Sequence, residues 1–202
     1  MDLKLLSILV ALIAVAAAML GYSAAPGPVK TSDFQAPAIT DNGIGAMVPF
    51  RITLSPGNGR TLVNVDNANY HRDTENALVK AKQNAEKLIG IKFRYFDVVL
   101  DIGASGSDIG GESAGAMFAV GIISAYTGKQ VNPFVSMSGG ITPTGNLFPV
   151  DGIEEKIIAA KNSGKTKFVV AKEQVVKNTI DSTKMEIIRV TNIKEASDIL
   201  LS

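Results

Sequence analysis

Cysteine is absent from these 202 residues, so neither a disulfide framework nor thiolate chemistry is open to the chain. That absence does not fix the compartment. Histidine is nearly absent as well: His71 stands alone in the polar stretch NANYHRDTEN. A single histidine excludes a multi-histidine metal site, and any Ser-His-Asp triad would have to use it. Nothing with metal-ligand spacing surrounds His71, which reads as a solvated residue near a helix start. Charge is sparse too. Charged residues make up 19% of the chain, the formal net charge is +1, and Lys and Arg are scattered without a basic stripe. A nucleic-acid partner is therefore not expected. The apolar share, 46%, suits a folded body rather than a disordered one.

One long uncharged run is present. Residues 5–20, LLSILVALIAVAAAML, follow Lys4 and lie on the border between a signal-peptide core and a short spanning helix. Ser23, Ala24 and Ala25 offer small residues for cleavage, but Pro26 follows at once, which favours an uncleaved anchor. Residues 1–25 are thus expected to be a signal peptide or membrane anchor, with the body membrane-anchored or secreted, outside the cytoplasm. Residues 26–45 are rich in Pro, Gly and short polar side chains and read as a linker.

The body, residues 46–202, alternates strand-like and helix-like segments and predicts one α/β domain. Residues 47–54 and 60–66, joined by SPGNG, read as a β-hairpin. Apolar residues at helical spacing predict a helix over 74–89, closed by Gly90. FRYFDVVLDI (93–102) reads as a strand, and a glycine-rich loop follows it. Ser113 then opens fourteen uncharged residues, SAGAMFAVGIISAY, which are short for a bilayer and predict a core helix covered on every face. Further on come a strand at 134–138, a turn at TPTGN and a helix over 152–163. Asp151 and Glu154 offer that helix a capping box. Strands at 167–171 and 185–190 and a helix at 194–201 complete the pattern.

Two places could carry chemistry. In GGESAG (110–115) a glycine loop feeds Ser113 at a helix start, where backbone N–H groups and the helix dipole favour developing negative charge. Serine is also a common helix cap, so this motif alone is weak. In PVDGIEEKIIAAK, Lys156 precedes an apolar pair; a lysine can act as a base only when desolvation keeps it neutral. Alone, Lys156 reads as an ordinary boundary residue with its stem buried and its head exposed.

In order, however, GGESAG, MSGGIT (137–142) and GNLFPVDGIEEKIIAA (145–160) resemble the proteolytic domain of the Lon family of Ser-Lys peptidases. The resemblance runs from about Met47 to the C-terminus and is densest between Gly110 and Ala171. It implies Ser113 as nucleophile, Lys156 as general base and Ser138 as a hydroxyl supporting the lysine, with Gly111 in the loop behind the serine. It departs from the family pattern at Gly110, Glu112, Gly140 and Asp101. Asp101, Asp108 or Glu112 could then supply the acidic group that holds Lys156.

The implied activity is ATP-independent hydrolysis of flexible or unfolded protein segments, without a cofactor or bound metal. The implied partners are protein or peptide substrates, the membrane through the N-terminal helix, and further copies of the chain as a homo-oligomer. A nucleotide is not expected: in AAKNSGKT (159–166) Ala159 stands where a phosphate loop needs glycine, and the segment reads as a helix end and turn. A reading from another class, a Lon-fold scaffold that has lost catalysis, draws on Gly110 and Gly140.

Overall fold

The first strand begins inside the stretch expected to be a linker. In the computed structural model, which describes residues 12–13, 15–16, 29–40, 42–64, 69–70, 72–103, 108–109, 112–177 and 185–202, strand β1 spans Lys30–Ile39. Ser32, Phe34 and Ala36 point inward while Thr31, Asp33 and Gln35 face solvent, a two-residue period that buries one face. Pro37 is tolerated because β1 lies at the sheet edge. The chain reverses at Gly43, in the left-handed region at φ 74°, and returns as β2 (Gly45–Pro56), antiparallel to β1 from Ile39 opposite Gly45 to Lys30 opposite Leu54.

The expected hairpin of residues 47–54 with 60–66 does not form. Strand β3 (Thr61–Asn64) runs parallel to β5 (Phe96–Ile102), and β5 inserts between β2 and β3, giving the order β1-β2-β5-β3. Asp97 on β5 gathers the SPGNG turn. Its carboxylate accepts the N–H groups of Asn58 and Arg60, both at 2.9 Å, and the Arg60 guanidinium at 2.6 and 2.9 Å. A side chain at Gly57 would meet the Asp97 carboxyl carbon at 2.2 Å, so only glycine lets the turn close over it. The Arg60 side-chain hydrogen bonds, then its backbone N–H, hold the Asp97 carboxyl at a pKa of about 2. A depressed carboxyl contributes stability that is present above its unfolded pKa near 4 and lost as pH falls through the folded value. Asp97→Asn is expected to lower Tm at pH 7, and thermal melts should show the gap to wild type shrinking between pH 4 and pH 2.

Helix α1 (Arg72–Ile89) buries Thr74, Ala77, Leu78, Ala81 and Ala85 and ends, as its spacing predicts, at left-handed Gly90. Helix α2 (Gly115–Thr127) is covered from Gly115 to Ala125, touching α1, β1, β2 and β7 (Val135–Ser138). Its Gly121 lets the Phe34 ring rest on the helix backbone, where a Cβ would lie 2.3 Å from the ring. A second sheet is parallel, in the order β11 (Glu186–Val190), β10 (Lys167–Ala171), β7 (Val135–Ser138). A small antiparallel pair, β8 (Gly140–Ile141) with β9 (Leu147–Phe148), follows β7, and Asn69–Tyr70 (β4) pairs with Asp108–Ile109 (β6). Helix α3 (Ile153–Asn162) packs Ile153, Ile157 and Ala160 over Phe168 and Val170 of β10, and α4 (Ile193–Leu200) closes the chain.

The expected mixed α/β body is thus observed. Of the expected N-terminal helix, residues 12, 13, 15 and 16 are helical and the rest lie outside the described residues. Among the described residues no helix is long and apolar enough to cross a membrane. His71, Gly110, Gly111 and the side chain of Asp108 also lie outside the described residues.

Candidate active site

Ser113 occupies a short 3-10 turn, Glu112–Ala114, at the mouth of α2. The end of β7 fixes that turn. Gly139 N–H donates to the Ser113 carbonyl at 2.9 Å, and Ala116 N–H donates to the Gly139 carbonyl at 3.3 Å. The Ser138 hydroxyl, almost fully buried, donates to the same Ser113 carbonyl at 3.3 Å. In this structure the Ser138 hydroxyl thus holds the backbone of Ser113.

Lys156 comes from α3, which starts differently from expectation. Asp151 does not cap it. Gly152 stands at the N-cap in the left-handed region (φ 63°), no side chain caps the helix, and the Glu154 carboxylate accepts Lys177 N–H at 3.2 Å. Shifting the start by one residue frees the Asp151 carbonyl, which accepts from Lys156 Nζ at 2.9 Å. Ile153, Ile157, Ala159 and Ala160 are buried on the same flank, and Lys156 is buried with them at 4% exposure. The boundary reading with an exposed ammonium is therefore overturned. Burial pushes the Lys156 pKa below its ordinary value, against the smaller opposing pull of Asp151 and Glu155.

Ser113 and Lys156 line one cavity of about 500 Å³. Ala38, Ile39, Phe148, Pro149 and Val150 form its apolar side, and Glu112, Asp151 and Gly152 complete it. Among the described residues the lysine amine is bonded to the Asp151 carbonyl and not to Ser113. Glu112 reaches the cavity but not the lysine; it pairs with Lys80 of α1 at 2.5 Å. Asp101 lies elsewhere, accepting from Asn64 at 2.8 Å beside a different depression with Asp33 and Arg51. The carboxylates nearest in effect to Lys156 are Asp151 and Glu155, which sequence reasoning did not choose.

Gly140 has a physical role that the motif did not reveal. Its cross-strand partner Phe148 lays its ring over it, and a Cβ at 140 would lie 2.1 Å from the ring tip. The segment 159–166 forms the end of α3 and a turn at Gly164 (φ 81°), as its sequence predicts.

The Lon protease (S16) C-terminal proteolytic domain family matches residues 38–202. The Lon protease of Mycoplasma genitalium is 33% identical over 168 residues, which cover 80% of this chain and 21% of that protein. The Lon protease of Flavobacterium johnsoniae is 31% identical over 153 residues, 73% of this chain and 18% of that protein. That of Chloroherpeton thalassium is 30% identical over 135 residues, 64% of this chain and 16% of that protein. The chain spans about a fifth of the length of these curated relatives. Serine turn, buried lysine and cavity lie within the matched region, and the chain belongs to the Lon protease (S16) C-terminal proteolytic domain family.

Proposed function

We propose that this chain is a serine endopeptidase in which Ser113 and Lys156 act as a dyad. The observation that carries the reading is a hydroxyl and a buried amine facing one cavity. A neutral amine has N–H groups to donate and one lone pair to accept with. Donation to the Asp151 carbonyl uses one N–H and leaves the lone pair for the Ser113 hydroxyl. As Ser113 Oγ attacks a peptide carbonyl, Lys156 takes its proton and then gives it to the leaving amine. Water deacylates the serine by the reverse path. Catalytic hydrogen bonds of this kind are commonly long before substrate binds.

Hydrolysis by this route needs neither metal nor nucleotide, and the substrate is a flexible or unfolded segment that can enter the cavity extended. Through the apolar run at residues 5–20 the domain is tethered at, or exported across, a membrane and meets its protein substrates there. The scaffold reading drew on Gly140, and the Phe148 ring seated on that glycine now gives its identity a packing reason.

A fluorophosphonate probe tests the dyad directly. Peptide mapping should place the adduct on Ser113, with labelling lost in Ser113→Ala and strongly slowed in Lys156→Ala. A wild-type chain that stays unlabelled, or labels equally in both variants, rules out the peptidase and favours the scaffold.

A further inference from the structure

Both apolar walls of the cavity are seated on glycines. Phe148 lies over Gly140, its partner across the β8–β9 pair, with ring atoms 2.1 to 2.6 Å from where a Cβ would be. Ile39, at the end of β1, presses on Gly152, where a Cβ would lie 2.9 Å from its Cγ1. An aromatic ring that covers a cross-strand glycine is held by backbone on that side. It cannot swing back to admit a larger group. Phe148 therefore has a fixed position in the wall shared with Ser113, and Gly140 is the reason.

We infer that Phe148, pinned on Gly140, limits the substrate side chain held beside the scissile bond, favouring small apolar groups there over bulky aromatic ones. This rests on the peptidase reading above. The wall is apolar on both sides, Ala38 and Ile39 facing Phe148, Pro149 and Val150, so the selected group is apolar. A contact that excludes rather than attracts acts on the ratio between substrates, and a rigid wall excludes better than one that yields.

The test uses the full chain, its Phe148→Leu and Phe148→Ala variants, and fluorogenic peptides differing only in the residue at the cleaved bond: Ala, Leu, Phe or Trp. The ratio of kcat/KM for Phe or Trp to that for Ala should rise from wild type through Phe148→Leu to Phe148→Ala, by about 10-fold or more across the series. Phe148→Leu keeps an apolar group over Gly140, so the graded series holds even where the alanine variant is less stable. A uniform loss across all peptides, or an unchanged ratio in active variants, overturns the inference and leaves the dyad standing. Wild type inert toward every peptide, and no different from Ser113→Ala, overturns both.

Discussion

If Ser113 and Lys156 act as the proposed dyad, Ser113→Ala and Lys156→Ala should each bring peptide hydrolysis down by about 10⁴-fold or more, and the double variant should be no slower than either single one. The non-additivity follows from the roles: without the nucleophile the base has nothing to deprotonate, and without the base the hydroxyl stays protonated. The pH profile distinguishes this dyad from a serine helped by a solvated group. Burial lowers the Lys156 pKa below the ordinary lysine range, and only the neutral amine can accept the proton. Activity should be low where the amine is charged, rise as pH passes through the lowered pKa, and level off above it.

Stability gives an independent check on the same group. With its pKa depressed in the folded state, the charged lysine is disfavoured there at low and neutral pH, and the penalty is relieved as pH rises toward the unfolded value near 10.4. Lys156→Met should therefore melt at or above the wild-type temperature at neutral pH, with the advantage narrowing as pH rises. A tenth of wild-type activity surviving in Lys156→Ala, or a rate flat across the lysine titration, would remove Lys156 from the chemistry, and the same survival in Ser113→Ala would remove Ser113.

The residues that build this site were legible to different degrees, for physical reasons. Helix α2 could be read because a run without charge has no solvent face to offer, and α1 because its apolar residues return every three or four positions. Ser113 and Lys156 were legible through the order of three motifs rather than through either residue. Strand β1 was hidden in its composition. Ser32 and Ala36 are weak burial signals, and Pro37 reads as a breaker until the strand is known to lie at an edge.

The lost hairpin had a non-local cause. Nothing in SPGNG announces a carboxylate 39 positions from Asn58 that will wrap the turn around β5. Ser138 shows the limit most clearly. The motif supplied a hydroxyl at the right place, but which acceptor it reaches depends on how β7 meets the 3-10 turn, and that contact is tertiary. Gly140, which in the motif reads as a missing acidic group, is a seat for Phe148 because the β8–β9 register sets the two opposite each other.

Gly45→Ala should destabilise the chain severely for a single added methyl group, and the effect should reach Lys156 as well. Gly45 opens β2 opposite Ile39, and a Cβ there would lie 2.1 Å from the Glu155 carbonyl oxygen and 2.6 Å from its carbon. Those are backbone atoms of α3, one residue before Lys156. They cannot rotate aside as a side chain can, so either the helix shifts or the strand peels away. Overpacking against fixed backbone is expected to cost about 3 kcal/mol, or a fall in Tm of roughly 10 °C for a chain of this size.

Below its melting point the variant should also lose about 10-fold in kcat, because a displaced α3 misplaces the amine relative to Ser113. Gly128→Ala separates the two causes. It sits at φ 79° with no atom within 4 Å of the added methyl, so its cost is the left-handed backbone alone, about 1–2 kcal/mol, with kcat unchanged. Gly45→Ala melting within about 2 °C of wild type, or hydrolysing at the full rate when folded, would show that the contact between β2 and α3 does not hold Lys156 in place.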